Sequence, residues 1–293
     1  MEKAAVKQVR AFNRLVAERI GALSDHFLGR SRSMGESRTL WEIGPRGVEV
    51  RELRTRLGLD SGYASRVLRS LQRQRLIEVR PSRRDARVRT VRLTARGRAE
   101  REELERRSDR VAWSFLEPLR RPQRARLVAA MAEVERLLLA SLVVVAAEDP
   151  TTPDARHCIR QYFSELDARF EGGLEHGRSI PADARDLLPP AGVLLVARLR
   201  GRPVGCGALK LHGLAPAELK RMWVAPDARG LGLGRRLLAE LERHARAAGA
   251  RAARLETNRA LKEAIALYRS SGYREVAPFN DEPYAHHWFE KRL

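Results

Sequence analysis

Between Glu218 and Arg235 the chain reads E-L-K-R-M-W-V-A-P-D-A-R-G-L-G-L-G-R. A run from Leu219 to Val224 with strand character stops at Pro226-Asp227. Three glycines follow at alternate positions (Gly230, Gly232, Gly234), and an amphipathic helix opens at Arg235. A strand that ends in a glycine-rich turn and feeds a helix gathers bare backbone N–H groups, and the helix dipole points its positive end at the same spot. That chemistry suits a pyrophosphate. The G-x-G-x-G spacing is not the G-x-G-x-x-G of dinucleotide folds, and the motif follows an antiparallel strand pair, which argues against a Rossmann site. A second signal is charge. Residues 51–98 hold 15 arginines against four acids (Glu52, Asp60, Glu78, Asp85), the mark of a polyanion partner.

The elements that must carry these groups follow from periodicity. Apolar positions at helical spacing (Val6, Val9, Phe12, Leu15, Val16, Ile20, Leu23) predict one long helix over 3–29. Shorter helices are expected at 39–43, 49–57 and, capped by Asp60 or Ser61, from there to about Arg75. Strands at 77–79 and 88–93 flank a basic turn. Long helices at 95–117 and 122–141 complete the first half. The second half begins with a strand at 143–146 and a helix at 155–170. A strand pair at 192–199 and 203–211 then precedes the glycine motif. A helix at 235–248, a strand at 251–257, a helix at 260–270 and a last strand at 286–290 follow it. This order implies two domains, 1–141 and 142–293, the second an α/β (α+β) sandwich.

The helices around 47–75, joined by Gly58-Leu59-Asp60, form a helix-turn-helix, and the hairpin after them forms a wing. With D-A-R-V-R-T-V-R-L-T (Asp85 to Thr94) and S-G-Y-A-S-R-V-L-R-S-L (Ser61 to Leu71), residues 1–141 resemble the MarR family of winged-helix regulators. Ser61, Tyr63, Ser65, Arg66 and Arg69 lie on the N-terminal part of the recognition helix, which enters the major groove. Arg83, Arg84, Arg87 and Arg89 crowd the wing, where a narrow minor groove suits arginine, and Asp85 is placed to orient Arg87. The resemblance implies double-stranded DNA with a pseudo-palindromic site as partner. It also implies a homodimer built through the terminal helices.

The glycine run resembles the GNAT acyltransferase signature Arg/Gln-x-x-Gly-x-Gly/Ala, carried here by Arg229, Gly232 and Gly234. Y-R-S-S-G-Y (Tyr268 to Tyr273) matches that family's later motif. The resemblance covers about 142–293 and implies acetyl-CoA, or another short acyl-CoA, as cofactor and an amine as acceptor, either a small molecule or a protein. It places Met222, Trp223 and Val224 along the pantetheine arm and Gly230, Leu231, Gly232, Leu233, Gly234 and Arg235 around the pyrophosphate. Tyr268 becomes the general acid for the departing thiolate. Glu218 and Glu256 both match positions of bases in relatives, and the choice between them is open. The asparagine found seven residues before the tyrosine in many relatives is Leu261 here, so Asn258 is the candidate for its hydrogen bond to the pantetheine. Trp223, Tyr284, His286, His287 and Trp288 are candidates to shape the acceptor pocket.

Other classes are disfavoured. No apolar run reaches bilayer length, and the first residues have no secretory h-region, so a cytoplasmic protein without a membrane partner is expected. Cys158 and Cys206 lack metal spacing, and His286-His287 on a strand would face opposite ways, so no metal site is expected. The net charge of +20 is uneven: residues 1–141 carry 33 Lys and Arg against 18 Asp and Glu, the remainder 24 against 19. The combined expectation is a DNA-binding regulator joined to an N-acetyltransferase. Two alternatives remain: a regulator whose second half only senses acyl-CoA or a metabolite, and an acetyltransferase whose winged helix serves dimerisation.

Overall fold

The computed structural model describes residues 2–21, 27–29, 32–82, 85, 87–175, 183–213 and 215–293, with Phe27 described by its backbone alone. The chain divides into two compact units, Met1–Ala129 and Ala130–Leu293. The division falls inside the helix Arg121–Ser141, whereas the sequence expectation sets it at the helix end.

In the first unit α1 (Lys3–Arg19) is shorter than the periodicity predicts. It closes at Ile20, and Gly21 turns the chain with φ +68°. The tail of the predicted 3–29 helix falls partly on residues 22–26, outside the described residues. Next comes α2 (Met34–Ile43), opened by a Ser33/Glu36 capping box and ended at Gly44. A two-residue strand β1 (Val48–Glu49), too short to leave a sequence pattern, leads into α3 (Val50–Leu57). Gly58, in the left-handed region, ends α3 and turns the chain toward α4 (Ser61–Arg73). The Asp60 carboxylate caps α4 by accepting the Tyr63 N–H at 2.8 Å. The hairpin β2 (Ile77–Pro81) and β3 (Arg89–Leu93) pairs antiparallel, and β1 adds a third strand on β3. α5 (Ala95–Leu116) and α6 (Arg121–Ser141) follow. Ala64, Val67, Leu68 and Leu71 of α4 are its buried face, and the last three pack with Leu40, Leu53, Val91 and Leu104.

The second unit is a seven-stranded sheet of order β4-β5-β6-β7-β8-β10-β9. Its strands are β4 (Val143–Ala147), β5 (Gly192–Leu199), β6 (Arg202–Lys210), β7 (Ala217–Val224), β8 (Ala252–Thr257), β9 (Arg274–Val276) and β10 (His287–Arg292). Helices α7 (Pro153–Arg169), α8 (Leu233–Ala247) and α9 (Lys262–Ser270) complete it. All pairings are antiparallel except β7 with β8. Cys206 of β6 faces α7, where its thiol meets that of Cys158. Added Cβ atoms at Gly205 and Gly207 would meet Leu237 and Leu241 of α8 at 3.4 and 2.9 Å. Successive strand residues point to opposite faces, so α7 and α8 cover opposite sides of the sheet.

Two features of β7 open the sheet and set its side chains. Its parallel pairing with β8 consists of Ala217↔Ala253 and Glu218↔Arg254, and beyond this register the two strands part. On its other edge, Cys206 pairs with Trp223 and Ala208 with Lys220, so Arg221 and Met222 together face Gly207 in a β-bulge. Arg221 sits in that bulge with φ +54°, a left-handed conformation uncommon for a residue with a Cβ.

Candidate functional site

Two cavities meet where β7 and β8 diverge. One of about 560 Å³ runs from the glycine turn past Trp223 and Val224 to Tyr268. The other, of about 220 Å³, is walled by β7, the end of β8, α7 and the segment before β10. Tyr162, Met222 and Tyr268 line both. Tyr268 is 5% exposed. Burial, then the neighbouring Tyr162 and Glu256, push its pKa above the ordinary phenol value, so the hydroxyl keeps its proton at neutral pH.

The larger cavity begins at the nest that the glycine spacing predicts. Gly230 and Gly232 adopt φ of +80° and +75°, and Gly232 is the N-cap of α8 without a side-chain cap. The first helical bond is Arg236 N–H to Gly232 O (3.1 Å), so the N–H groups of Leu233, Gly234 and Arg235 lie in the unpaired first turn. Gly230, Gly232, Leu233, Gly234 and Arg235 line the cavity, while Leu231 packs half-buried on the core. Arg229 acts as a clamp. Its Nε donates to Val224 O (3.2 Å), and its Nη2 donates to both oxygens of Glu165 (2.7 and 2.6 Å). Glu165 also accepts from Trp223 Nε1 at 3.1 Å, which ties α7 to the strand end and the glycine turn.

The candidate bases separate. Glu256 lines the smaller cavity beside Tyr268. Its Oε1 pairs with the buried Lys220, and its Oε2 is buried with no hydrogen-bond partner among the described residues. Glu218 lies at the paired end of the strands and lines neither cavity. Its Oε1 accepts from Arg254 at 2.6 Å, and its Oε2 stands 3.8 Å from Lys220 Nζ. Burial alone would raise the Glu218 pKa, but Arg254, Lys220 and His212 outweigh it and hold the pKa below the ordinary value.

The structure does not bring Asn258 to the larger cavity. It borders the smaller one, and its amide builds the loop after β8 by donating to Tyr284 O (2.7 Å) and accepting from Ala260 N–H (2.8 Å). Of the aromatic and histidine candidates, Tyr284 lines the smaller cavity and Trp223 the larger. His287 is held by Glu275 at 2.6 Å, Trp288 donates to Asn280 at 2.8 Å, and His286 borders neither cavity. Tyr162, Glu165 and Arg221 are the site residues that sequence reading misses. The only signal for the first two is their place on a helix whose packing partner the sequence does not name.

In the first unit Ser61, Ser65, Arg66 and Arg69 lie exposed on α4. The Arg66 guanidinium sits 5.7 Å over the Tyr63 ring, and Arg69 Nε donates to Ser65 O at 3.3 Å. Tyr63 is half-buried: a Cβ at Gly35 would lie 2.3 Å from its hydroxyl, so its ring fixes α4 against α2. At the wing, Asp85 accepts the Arg87 N–H at 2.9 Å and stands 3.6 Å from Arg87 Nε, whose side chain is 94% exposed. Arg89 is exposed on β3, and Arg83 and Arg84 lie outside the described residues.

The model of the acetyltransferase (GNAT) family matches residues 159–273, and the MarR family model matches 28–88. The chain is 41% identical over 139 residues to an IAA acetyltransferase of Azospirillum brasilense, covering 47% of this chain and 88% of that one. The chain belongs to the GNAT acetyltransferase family. It carries that domain behind a MarR-family winged helix. An uncharacterized N-acetyltransferase of Schizosaccharomyces pombe is 36% identical over 134 residues, covering 44% of this chain and 80% of its own. The structure of the PcaV transcriptional regulator of Streptomyces coelicolor aligns with 44% of this chain and 94% of its own, at 22% identity and a TM-score of 0.37. Among the described residues of this GNAT–MarR protein, no helix is long and apolar enough to cross a membrane.

Proposed function

We propose that the protein is a DNA-binding regulator over residues 1–141 and an acetyl-CoA-dependent N-acetyltransferase over 142–293. The observation that carries the enzymatic half is the meeting of the two cavities at Tyr268, beside Glu256 and below the glycine nest. The larger cavity fits an acyl-CoA: its first-turn N–H groups and Arg235 suit a pyrophosphate, and its strand-lined channel beside Met222 to Val224 suits an extended arm. When bound, acyl-CoA supplies an activated acyl group and a thiol leaving group.

The chain's own residues supply the rest. The freed edges of β7 and β8 offer backbone N–H groups to a developing oxyanion. Glu256 Oε2 accepts the amine proton, and Tyr268, kept protonated by burial, gives its proton to the sulfur. In the regulatory half, α4 is placed to enter the major groove while Arg87 reaches the adjacent minor groove. The exposed apolar positions of α1 and α6 join two chains, which a pseudo-palindromic site requires.

The test is CoA-thiol release by the full chain with acetyl-CoA and a panel of small amines and lysine peptides, compared with Tyr268→Phe. Turnover that Tyr268→Phe suppresses supports the reading. Acetyl-CoA binding without turnover on any acceptor overturns it in favour of a sensor. Retardation of DNA from upstream of its own gene, lost on replacing Arg66 and Arg87, tests the regulatory half.

A further inference from the structure

The smaller cavity has a polarity that identifies its occupant as the acceptor, an inference that rests on the proposed acyltransfer. At about 220 Å³ it lies below the roughly 300–1,000 Å³ of drug-sized pockets, so it takes a small molecule. Its walls are aromatic. Tyr162 and Phe163 meet edge to face with centroids 5.2 Å apart, and Phe170 stacks on Tyr284 at 5.8 Å. These rings call for an aromatic or large apolar group.

Its charges come from different elements. Arg221 projects from the β7 bulge with its guanidinium 4.6 Å over Phe163. Glu256 comes from β8, and Glu282 from the segment before β10. Asp183 also lines the cavity and acts on Arg221 as an opposite charge, and Lys220 sits against Glu256 and Glu218. Arg221 holds this place at φ +54°, and backbone strain of that kind persists where the surroundings impose it, often at ligand sites. Burial also holds its pKa below the ordinary guanidinium value, a setting in which a bound anion is matched strongly. A lining that carries the Arg221 guanidinium together with the carboxylates of Asp183, Glu256 and Glu282 offers both charges that a zwitterion needs.

We propose that the acceptor is a small aromatic or large apolar α-amino acid, with its carboxylate on Arg221 and its amine between Glu256 and Tyr268. The amine nitrogen forms the new C–N bond at the acyl carbonyl as the C–S bond breaks. The bound ammonium first gives one proton to Glu256, which passes it to solvent and so frees the nitrogen lone pair. As the C–N bond forms, a second nitrogen proton passes to Glu256, and the sulfur takes the Tyr268 proton. The products are an N-acyl amino acid and free CoA thiol, and solvent returns both side chains to their starting states.

The experiment titrates the full chain, loaded with CoA, with L-phenylalanine, L-tryptophan, phenylalaninamide and phenethylamine by calorimetry, and repeats the series as thiol release from acetyl-CoA. The amino acids are expected to bind roughly 10–100-fold more tightly than the amide and the amine. Arg221→Gln should collapse that ratio to about one, and Arg221→Lys should keep part of it. Comparison of ligands on the unaltered protein decides the matter even if the variants fold poorly. Equal or tighter binding of the carboxylate-free ligands, no binding of any amino acid, or an equal loss for all ligands in Arg221→Gln overturns the proposal. Carboxylate-dependent binding with no thiol release would support the Arg221 site and sink the acyltransfer reading. Thiol release on carboxylate-free amines or lysine peptides without that preference would do the reverse.

Discussion

A general acid must hold its proton until the leaving group needs it. Burial beside Tyr162 and Glu256 gives Tyr268 that property. Tyr268→Phe is therefore expected to lower kcat about 10²-fold or more while acetyl-CoA affinity stays within a few-fold, read by thiol release and calorimetry. Because the phenol pKa is raised, the unaltered enzyme should show no loss of rate from phenol ionisation between about pH 7 and 9. The two glutamates should part company. Glu256→Gln removes the carboxylate beside Tyr268 and is expected to depress kcat/KM by a similar factor. Glu218→Gln breaks an ion pair with Arg254 outside both cavities, so it should cost stability and leave turnover within a few-fold. Since the folded pKa of Glu218 is depressed, its contribution is present above the ordinary carboxylate range and is lost as pH falls through the folded value. The Tm gap between Glu218→Gln and the parent should close on acidification, which thermal melts across pH will show. That Tyr268 and the glycine turn would border one site was legible in sequence because each belongs to a short local motif. The different surroundings of Glu218 and Glu256 were not, because Lys220 and Arg254 set them through the register of β7 with β8.

At the scale of elements, most helices and strands were readable because glycines and capping residues punctuate them. Asp60 opens α4, Gly58 closes α3, and Thr94 opens α5 by accepting the Gly97 N–H at 3.0 Å. The elements that sequence concealed are those set by partners far along the chain. β1 is two residues paired with β3, and β9 is three residues paired with β10. The bulge at Arg221 carries no glycine to announce it. α7 reveals its role only through Glu165, which joins Arg229 and Trp223 to the glycine turn. That turn gives a test at its own scale. Gly232 stands at φ +75° with no atom within 4 Å of an added Cβ, so Gly232→Ala meets conformational strain and no clash. A cost of about 1–2 kcal/mol is expected, spent on distorting the nest. It should appear as acetyl-CoA binding weaker by roughly tenfold, with kcat at saturation changed far less, in paired titrations and kinetics.

The whole molecule joins two separately cored units of unequal charge, and the arginine-dense half is the one with a winged helix. Phosphate contacts release counterions, so the slope of log affinity against log salt counts them. Arg66→Ala and Arg87→Ala should each reduce that slope by about one. Joining the halves also predicts how assembly should behave. α1 has no buried residue and exposes Val9 and Leu15, each 58% accessible, and α6 likewise buries none and exposes Leu137 and Leu138 at 61%. Apolar faces of this kind on helices that contribute nothing to either core are the surface a second chain would cover. Leu15→Glu places a charge in that surface and leaves the cores untouched, so both units should still fold. Specific DNA binding requires two recognition helices at half-site spacing, whereas acetyl transfer requires only the cavities of one chain. The expected outcome is a monomer by sedimentation that no longer retards operator DNA at physiological salt and releases CoA thiol at the parent's rate. A Leu15→Glu protein that stays dimeric, or that binds operator DNA as a monomer, would show that the terminal helices are not the device that spaces the recognition helices.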